Sequence, residues 1–538
     1  MARPNILLLH TDQQRFDTIR ALGASHMETP NLDRLVSGGI AFRKAYSSNP
    51  VCMPARHDLL TGASAQHHGY WWNAGRPIQN YGLATLPRML TQSGYQTLAV
   101  GKMHFKPERE HHGFGHMFLM EELPGCREND AYLEYLKEQG YGHIRCQHGV
   151  RPLFYHSPQE SRVPEEHHGS AWVAHKTIEL IRRKRDRPFF LMASWVGPHP
   201  PYYMPRRYLE MYRDAELPSP IEESAKLHAP TSPENLRGKS LKRLREAYFG
   251  AISLIDTHLG RILDALEQTG QRENTLIIFT SDHGEMLGDY GCYQKHVPYE
   301  GSAHIPLLVS GPGFEKGTCE VPVTTWDTSA TILRATGVEP PEDHPMVGVP
   351  LQKCQHEEAG RTVVFHHSTG RDRYLAAVSG RFKFIHWLNG GEEELYDLES
   401  DPEERINLLA KKCDDNGLPV SRLRDACVQF ESEHGNPENV DNGRFVDLSF
   451  ESPPEHRCSA HPEWSFRQFP QWMDGYSQDD LRAIAEEMSD CLKNEGINLF
   501  SDPEWRSRAK EEWTKRGGDP AVYEELFQQI DRKRTGRS

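Results

Sequence analysis

The sequence predicts an α/β protein in which a large, mainly parallel sheet flanked by helices is followed by a small antiparallel-sheet C-terminal domain. In the first two-thirds of the 538-residue chain, short apolar runs alternate with segments of helical periodicity. After about residue 355, strand-like segments follow one another with hairpin signals between them. From about residue 415 to 476 the chain is polar, proline-bearing and irregular, and helical segments then close it. We therefore expect a main domain over 1–355, a small antiparallel subdomain over 356–415, and an irregular and helical extension over 416–538.

Five apolar runs are the predicted strands of the large sheet: Asn5–Leu9, Thr97–Val100, Phe189–Ala193, Leu276–Thr280 and Leu307–Ser310. Two helices between them are well marked. The helix Thr29–Ser37 has Thr29 as a candidate cap and Pro30 at its first position, and Gly38 ends it. The segment Leu244–Leu266 carries apolar residues at helical spacing, which predicts a helix that packs on the sheet.

The small sheet is predicted from four strands and two tight turns. The strands are Arg361–His366, Tyr374–Val378, Arg381–Trp387 and Glu394–Leu398. The dipeptides Ser379-Gly380 and Asn389-Gly390 provide the hairpin signals between neighbouring strands. Near the C-terminus, three helical segments are predicted, with caps at Ser477, Asp502 and Asp519.

The charge and the apolar runs exclude two classes of partner. A formal net charge of −14 argues against binding to nucleic acid or to an anionic membrane surface. The apolar runs all fall short of the roughly 20 residues that a membrane-spanning helix needs. The run Ile6–Leu9 is too short for the core of a signal peptide, so we expect a cytoplasmic protein. The ten cysteines show no paired spacing, which argues against a disulfide framework.

Polar side chains follow four of the predicted strands. These segments are His10–Gln13, Gly101–His104, Gly197–Pro201 and Ser281–Gly284. Because the carboxyl ends of parallel strands lie at one edge of a sheet, we expect Asp, Lys and His side chains from all four to converge there. Singly, each has an ordinary explanation, such as a helix cap for an aspartate or a solvated charge for Lys102. Together they predict a ligand-binding crevice.

A cysteine lies at the start of a predicted helix between the first two strands. In the segment Pro50–Gly62, Pro54 suits the first turn of a helix and Gly62 its end, so that Cys52 lies at the N-terminus. Unpaired N–H groups and the helix dipole favour negative charge at such a position. Cys52 is therefore a candidate nucleophile, or the precursor of one. The alternative is a buried small residue, which a free cysteine usually is.

These segments resemble the type I, formylglycine-dependent sulfatase family of the alkaline phosphatase superfamily. Cys52–Arg56, with its continuation to Gly62, is similar to the first signature of the family, and Gly94–His104 is similar to the second. Four further segments also resemble the family: Asn5–Asp12, Thr29–Leu35, Ser281–Glu285 and Glu394–Leu398. The resemblance covers roughly residues 3–410. It implies an alkaline phosphatase-like fold in which 1–355 is the catalytic domain, and the segment after 415 matches no family.

The resemblance implies a nucleophile and a metal. Cys52 would be oxidised to formylglycine by a formylglycine-generating enzyme. One oxygen of the hydrated aldehyde would attack sulfur, and the other would later expel sulfate. One divalent cation would be held by Asp12, Gln13, Cys52, Asp282 and His283. Many relatives have Asp-Asp and Asp-Asn where this chain has Asp12-Gln13 and Asp282-His283. Ca²⁺ is favoured on family grounds, and Mn²⁺ is the alternative because one carboxylate is missing and an imidazole is present.

The resemblance also implies roles for the catalytic residues, which are Cys52, Arg56, Lys102, His104, His199 and Lys295. Arg56, Lys102 and Lys295 would supply the local positive charge that stabilises the transferred group. His104 would take a proton in the second step. His199, together with Lys295, would protonate the leaving oxygen or clamp the ester.

Two further residues are candidates for substrate binding. His296 follows Lys295 directly and is either a site residue or a loop histidine. Trp72 lies near the presumed mouth of the site, where it could stack on an aryl or sugar ring, although such residues more often serve packing. The expected substrate is a small-molecule or carbohydrate sulfate ester, and the expected activity is that of a sulfuric ester hydrolase.

Three hypotheses about function stay open at this point. The first is sulfate ester hydrolysis. The second is phosphonate monoester or phosphodiester hydrolysis, because the Asp12-Gln13 and Asp282-His283 pairs are also similar to those hydrolases, as well as to choline sulfatases. The third is a non-catalytic relative that binds sulfated ligands. Large members of the family often oligomerise, so a homo-oligomer is expected.

Overall fold

The computed structural model describes residues 3–73, 82–124, 127–144, 147–149, 158–222, 239–356, 360–410 and 417–451, together with scattered helical positions between 507 and 532. The caps predicted at Ser477, Asp502 and Asp519 lie outside these residues. Within the described ranges, no helix combines the length and the apolarity that crossing a membrane would require.

Strands and helices alternate along most of the described chain. The strands are, in chain order, β1 (Asn5–Asp12), β2 (Ile40–Phe42), β3 (Ala45–Tyr46), β4 (Gln96–Gly101), β5 (His116–Leu119), β6 (Gln159–Glu160), β7 (Phe189–Pro198), β8 (Tyr203–Met204), β9 (Thr275–Ser281), β10 (His304–Ile305), β11 (Leu307–Ser310), β12 (Gly317–Cys319), β13 (Val323–Thr324), β14 (Thr362–His367), β15 (Tyr374–Ser379), β16 (Phe382–Trp387), β17 (Glu393–Asp397), β18 (Val440–Asp441) and β19 (Arg444–Phe445). The α-helices are α1 (Pro30–Gly38), α2 (Cys52–Thr61), α3 (Ala65–His68), α4 (Leu86–Gln92), α5 (Ala131–Glu138), α6 (Gly169–Arg182), α7 (Arg206–Glu210), α8 (Lys239–Gln268), α9 (Glu300–Ala303), α10 (Thr325–Thr336), α11 (Leu351–Cys354) and α12 (Val420–His434).

Eight strands form one large sheet in the order β12-β2-β11-β9-β1-β7-β4-β5. The five strands from β9 to β5 all run parallel, which confirms the predicted mainly parallel sheet. The predicted strand Leu307–Ser310 is present as β11, but it runs antiparallel to β9. Parallel neighbours are usually joined through a long crossover helix, whereas the α-helix between β9 and β11 is the four-residue α9.

The apolar residues of the central strand β1 divide between two cores. Ile6 and Leu8 belong to a core on one side of the sheet, which includes Leu59 of α2. Leu7 and Leu9 belong to a core on the other side, to which helices α1, α6 and α8 contribute. All four of these β1 side chains are fully buried. Their burial follows from the architecture, since helices cover both faces of a parallel sheet.

The strands β1 and β7 are longer than the sequence predicts. The apolar runs end at Leu9 and Ala193, but β1 continues to Asp12 and β7 continues to Pro198. The polar residues remain in the sheet because β1 still pairs with β9 and β7 there. Asp12 is therefore held by the sheet and not by a loop.

The two predicted helices are confirmed as α1 and α8. Helix α1 begins at Pro30, as the sequence indicates, but Thr29 makes no side-chain capping hydrogen bond. The carboxylate of Asp256, on α8, accepts the N–H groups of Asn31 and Leu32 instead, at 3.1 and 2.7 Å. A side chain from a neighbouring helix thus satisfies the first N–H groups of α1.

The four strands β14 to β17 form the predicted small antiparallel sheet, each paired with the next in the chain. The sequence predicts irregular structure from about residue 415 to 476, and this is wrong for α12, a helix of 15 residues. Leu423, Cys427 and Phe430 of α12 pack with Leu375 and Phe384 of the small sheet. Charged residues interrupt this narrow apolar stripe in the sequence, which makes its helical period hard to recognise.

A buried ion pair joins the small sheet to α12. Arg373 Nε donates to Glu431 Oε1 at 2.5 Å, and both side chains are fully buried. Glu431→Gln removes the carboxylate charge and leaves the guanidinium buried without it, so we expect a loss of about 3–5 kcal/mol of unfolding free energy, measured by urea denaturation. Glu433→Gln is the control, because that side chain is 55% exposed, and it should cost less than about 0.5 kcal/mol. Equal denaturation midpoints for the two variants would contradict this prediction.

Candidate active site

The carboxyl ends of β1, β4, β7 and β9 meet at one edge of the large sheet, and the polar segments that follow them lie together there. Asp12 ends β1, Lys102 follows β4, His199 follows β7 and Asp282 follows β9. Helix α2 lies against this edge with Cys52 as its first residue. The structure therefore brings residues from four strand ends to one helix N-terminus.

Helix α2 is held firmly, because all ten of its residues are buried. Cys52 and Arg56 are four residues apart and therefore lie on the same face of the helix. Two residues after Arg56, Asp58 Oδ1 accepts a hydrogen bond from His68 Nε2 at 2.8 Å. Gly62 ends the helix in the left-handed conformation that glycine tolerates, with a φ of 69°. Cys52 is thus presented at the end of an element whose position is fixed.

Cys52 is fully buried among polar atoms. Its Sγ lies 3.2 Å from His283 Nε2, 3.4 Å from Lys295 Nζ and 3.7 Å from Asp12 Oδ1. Burial, together with the Asp12 carboxylate, raises the pKa of the Cys52 thiol to about 12, since both disfavour the thiolate. The unmodified side chain is therefore a protonated thiol at neutral pH, which is a weak nucleophile.

Asp12 and Asp282 each use one carboxylate oxygen to bind cationic side chains. Asp12 Oδ2 accepts a hydrogen bond from Arg56 Nη2 at 3.0 Å and forms an ion pair with Lys102 Nζ at 2.7 Å. Asp282 Oδ2 accepts from Arg56 Nε at 2.9 Å. Burial alone would raise the pKa of Asp282, but the neighbouring His283 and Arg56 hold it well below its usual value. Asp282 is therefore ionised, and Arg56 joins the ends of two strands.

Four candidate metal ligands surround one point. One ligand atom from each of Asp12, Cys52, Asp282 and His283 lies within 4.8 Å of the others. Burial lowers the pKa of His283 to about 4, so that its imidazole is neutral. Its Nδ1–H donates to the backbone oxygen of Gly284 at 2.9 Å, which directs the lone pair of Nε2 toward the group. Two carboxylates and a neutral imidazole are a donor set that fits a divalent cation.

Gln13, the fifth predicted ligand, is fixed by hydrogen bonds on all sides. Its backbone N–H donates to Asp282 Oδ1 at 3.0 Å, and its backbone oxygen accepts from Tyr248 Oη at 2.8 Å. The side-chain amide donates to Glu285. Its Oε1 accepts a hydrogen bond from Lys295 Nζ at 2.6 Å. An amide oxygen has two lone pairs, so Oε1 has the capacity to bind a cation as well.

A glutamate links Lys102 to His199. Lys102 Nζ, which binds Asp12, also binds a carboxylate oxygen of Glu122. His199 Nδ1 donates to the backbone oxygen of Pro200 at 2.6 Å and lies 3.5 Å from Glu122 Oε1. Burial lowers the pKa of His199 well below its usual value, although the Glu122 carboxylate opposes this effect. One carboxylate thus lies between Lys102 and His199.

His104 is held in an uncommon backbone conformation by a second glutamate. Its φ is 60°, in the left-handed region that few residues other than glycine adopt. The carboxylate of Glu121 accepts the N–H of His104 at 3.0 and 3.1 Å and that of Met103 at 2.8 Å. Burial and the nearby Lys102 lower the pKa of His104 well below its usual value. The imidazole is therefore neutral and able to accept a proton.

Three residues of the site, Glu121, Glu122 and Ser194, were not predicted from the sequence. Glu121 and Glu122 follow β5, a four-residue edge strand too short to be recognised from its sequence. Applied to β5, the same rule of polar residues at strand ends would identify both. Ser194 is the third, because its Oγ accepts from Arg56 Nη1 at 3.0 Å from within β7. Its position inside an apolar strand offers no such signal.

Trp72 and His296, the two predicted substrate-binding residues, are in contact. Their rings stack with centroids 4.6 Å apart. His367 of β14 completes a group of three rings, which we call the ring group, at 5.0 Å from Trp72 and 5.6 Å from His296. The ring group lies beside the buried site, because His296 follows Lys295, whose Nζ contacts Cys52. The small sheet therefore contributes a residue to this region, which no local sequence pattern indicates.

Comparison with known proteins agrees with this geometry. A family model described as Sulfatase matches residues 4–338, and one described as N-sulphoglucosamine sulphohydrolase, C-terminal, matches residues 288–419. The chain is 33% identical over 447 residues to an arylsulfatase of Clostridium perfringens, which covers 76% of this chain and 90% of that protein. It is 28% identical over 427 residues to a choline-sulfatase of Rhizobium meliloti, which covers 76% of this chain and 82% of that protein.

A solved structure shows the fold. The phosphonate monoester hydrolase of Agrobacterium radiobacter matches with a TM-score of 0.68 and 24% identity, over 80% of this chain and 96% of that one. The predicted alkaline phosphatase-like fold class is thereby confirmed. The Sulfatase match spans well over half of the chain and contains the site around Cys52. On these grounds the chain belongs to the sulfatase family.

Proposed function

We propose that this sulfuric ester hydrolase cleaves sulfate esters with a nucleophile formed from Cys52 and with one bound divalent cation. The observation that carries the proposal is the position of Cys52, whose Sγ lies within 3.7 Å of atoms of His283, Lys295 and Asp12. A nucleophile at this place is next to the candidate metal ligands and to the ammonium group of Lys295, which can bind an anionic ester. Membership of the sulfatase family supports sulfate esters as the substrate class.

The proposed nucleophile is an oxygen and not a sulfur. Conversion of Cys52 to formylglycine by a formylglycine-generating enzyme would supply, after hydration, two hydroxyl groups at the end of α2. The neutral His283 and the Asp12 carboxylate lie within reach of such groups and would orient them. A buried position also keeps bulk water away from the reacting atoms.

The proposed cation would be held by Asp12, Gln13, residue 52, Asp282 and His283. Once bound, it supplies a Lewis acid that polarises the ester and favours ionisation of the nucleophile. Ca²⁺ is proposed first on family grounds. Mn²⁺ is proposed second, because His283 places a nitrogen among ligands that are otherwise oxygens.

Three cationic side chains are proposed to bind the sulfate group. Lys295 contacts residue 52, Arg56 bridges Asp12 and Asp282, and Lys102 is fully buried beside Asp12. They concentrate positive charge in a chain whose formal net charge is −14. Charge developing on the transferred group would be stabilised by hydrogen bonds from these fixed donors.

Two histidines are proposed to move protons. His199 would donate a proton to the leaving oxygen of the alcohol as the S–O bond breaks. His104, whose ring is neutral, would accept a proton from residue 52 in the second step, in which sulfate leaves. Glu121 holds the backbone of His104 and so keeps its ring at the site.

The ring group is proposed to bind the alcohol part of the substrate. Lys295 directly precedes His296 and places a positive charge beside the ring group. Such surroundings disfavour a cationic alcohol such as choline. Flat rings at the entrance favour a substrate with a ring of its own. We therefore place aryl and carbohydrate sulfates ahead of choline sulfate.

The second candidate function is phosphonate monoester or phosphodiester hydrolysis. The observation that favours it is the donor set itself, in which Gln13 and His283 accompany two aspartates. This set resembles that of phosphonate hydrolases as much as that of choline sulfatases. A non-catalytic relative is disfavoured, because each catalytic position that the family resemblance implies is filled.

A direct comparison of two aryl esters tests the proposal. The protein is co-expressed with a formylglycine-generating enzyme, and Cys52→Ala serves as the blank. We expect kcat/KM for an aryl sulfate to exceed that for an aryl phosphonate monoester by about 10²-fold or more, because an active site that is specific for the sulfate group discriminates against the phosphonate. A preference for the phosphonate would support the second candidate. Absence of turnover in protein that carries the aldehyde would exclude aryl esters and leave carbohydrate and choline sulfates to be tested.

A further inference from the structure

We propose that Glu122 is a positioning residue for catalysis, which holds His199 in the orientation needed to protonate the leaving alcohol. The inference rests on the proposed function and adds to it a residue to which no role has been assigned. Glu122 follows β5, and its side chain is 9% exposed, so it belongs to the interior of the site. Its carboxylate contacts two of the catalytic residues proposed above.

The carboxylate of Glu122 is fixed by Lys102. One oxygen, Oε2, binds Lys102 Nζ, and that lysine is itself fully buried and held by Asp12 Oδ2 at 2.7 Å. Lys102 also follows β4, the strand that pairs with β5 in the sheet. The glutamate is therefore held at both ends, by its backbone beside a strand and by its carboxylate on a buried ammonium. A carboxylate held in this way can orient a neighbouring side chain.

The other oxygen of the carboxylate faces His199. Glu122 Oε1 lies 3.5 Å from His199 Nδ1, and the same nitrogen donates to the backbone oxygen of Pro200 at 2.6 Å. A carbonyl oxygen only accepts, so the proton on Nδ1 is assigned, and Nε2 is the nitrogen that acts on the substrate. The two oxygens around Nδ1 restrict rotation of the ring, and the Glu122 carboxylate opposes the lowering of the His199 pKa by burial, which helps the ring to carry a second proton on Nε2.

The step in which His199 protonates the leaving oxygen can be written with every bond and proton accounted for. The oxygen of residue 52, which has released its proton on ionisation, forms a bond to sulfur as the bond from sulfur to the ester oxygen breaks. The electron pair of the broken bond stays on the ester oxygen, and the Nε2 proton of His199 moves to that oxygen. The histidine is left neutral with its proton on Nδ1, which is the form that Pro200 O and Glu122 stabilise. An alcohol that is a poor leaving group depends on this proton more than a good one does.

Glu122→Gln is the test, with two substrates that differ in leaving group. The amide is nearly the same shape but lacks the charge. We expect kcat/KM for phenyl sulfate to fall about 10²-fold and that for 4-nitrophenyl sulfate to fall less than about 5-fold, because 4-nitrophenolate leaves without a proton. Glu138→Gln, an exposed change on the neighbouring helix α5, is the control and should leave both values unchanged. Equal losses on the two substrates would overturn the inference.

A double-mutant cycle separates action through His199 from action through Lys102 or the fold. In a His199→Ala background, Glu122→Gln should lower phenyl sulfate turnover by no more than about 3-fold further, because the residue it positions is gone. A further loss as large as in the wild type would overturn the inference. If Glu122→Gln does not fold, Glu122→Asp replaces it, since the shorter side chain keeps the charge but cannot reach both partners. The same two substrates and the same criteria apply to it.

The wild-type protein is measured first in the same assay. No turnover of either aryl sulfate by wild-type protein that carries the aldehyde would refute the proposed function with aryl esters, and the role of Glu122 with it. Wild-type turnover with an unchanged ratio between the two substrates in Glu122→Gln would refute only the role of Glu122. Metal affinity, titrated with Ca²⁺, should be unchanged in this variant. A weaker affinity would show that Glu122 acts through Asp12 and would overturn the inference.

Discussion

Cys52→Ala is expected to lower kcat/KM for an aryl sulfate by at least about 10⁴-fold, to the level of the background reaction. The change removes the atom from which the nucleophile is formed, while Asp12, His283 and Lys295 remain. The loss should appear in kcat at saturating substrate, because the cations that bind the ester are untouched. Mass spectrometry of the peptide around residue 52 should show the aldehyde in the wild type and not in the variant.

The control for this prediction is a second buried cysteine. Cys427 on α12 is, like Cys52, fully buried, so that each change to alanine removes one buried sulfur. Each should cost about 1–2 kcal/mol of unfolding free energy, and neither should unfold the protein. Cys427→Ala should keep activity within about 2-fold of the wild type. Retention of more than about one-hundredth of the activity in Cys52→Ala would contradict the assignment of Cys52 as nucleophile.

The sequence predicted those parts of the site that depend on local order along the chain. Asp12, Lys102, His199 and Asp282 each follow an apolar run, and the geometry of a parallel sheet is enough to bring such ends together. Cys52 could be placed in the same way, because Pro54 and Gly62 mark the ends of a short helix. In each case the signal lies within about ten residues of the functional side chain.

The parts that could not be predicted depend on contacts between distant segments. Glu122 reaches His199 only because β5 and β7 lie on either side of β4 in the sheet. His367 reaches Trp72 only because the small sheet packs against the main domain near Lys295. The antiparallel direction of β11 could not be predicted either, since an apolar run of four residues does not indicate whether the strand runs parallel or antiparallel to its neighbour.

Fully buried polar residues also make the end of a strand difficult to predict from the sequence. His10, Thr11 and Asp12 continue β1, although their polarity suggests the end of a strand. The carboxylate of Asp12 and the backbone of this segment can be buried because Arg56 and the neighbouring strands provide partners for them. Polar residues of this kind break the apolar pattern at a functional site, so the pattern is least reliable where the chemistry occurs.

Asp282→Asn is expected to cost far more activity than His296→Ala, although both residues lie near residue 52. The carboxylate of Asp282 accepts hydrogen bonds from the N–H of Gln13 at 3.0 Å and of His283 at 2.9 Å, and it pairs with Arg56. Asparagine keeps the shape but loses the charge, and its amide cannot satisfy these donors and bind a cation equally well. We expect kcat/KM to fall about 10³-fold and the metal affinity to fall about 10- to 100-fold.

His296→Ala removes a ring that stacks on Trp72 and not a group that is proposed to bind the cation. We expect a loss of about 10-fold or less, seen mainly as a higher KM, because the ring group is proposed to bind the alcohol in the ground state. Both variants are stripped of metal and titrated with Ca²⁺ and with Mn²⁺ while kcat and KM are followed. The metal requirement should shift in Asp282→Asn and stay unchanged in His296→Ala. Comparable losses in the two variants, with the same metal requirement, would show that the cation is not held by Asp282, and the ligand set around Cys52 would have to be reassigned.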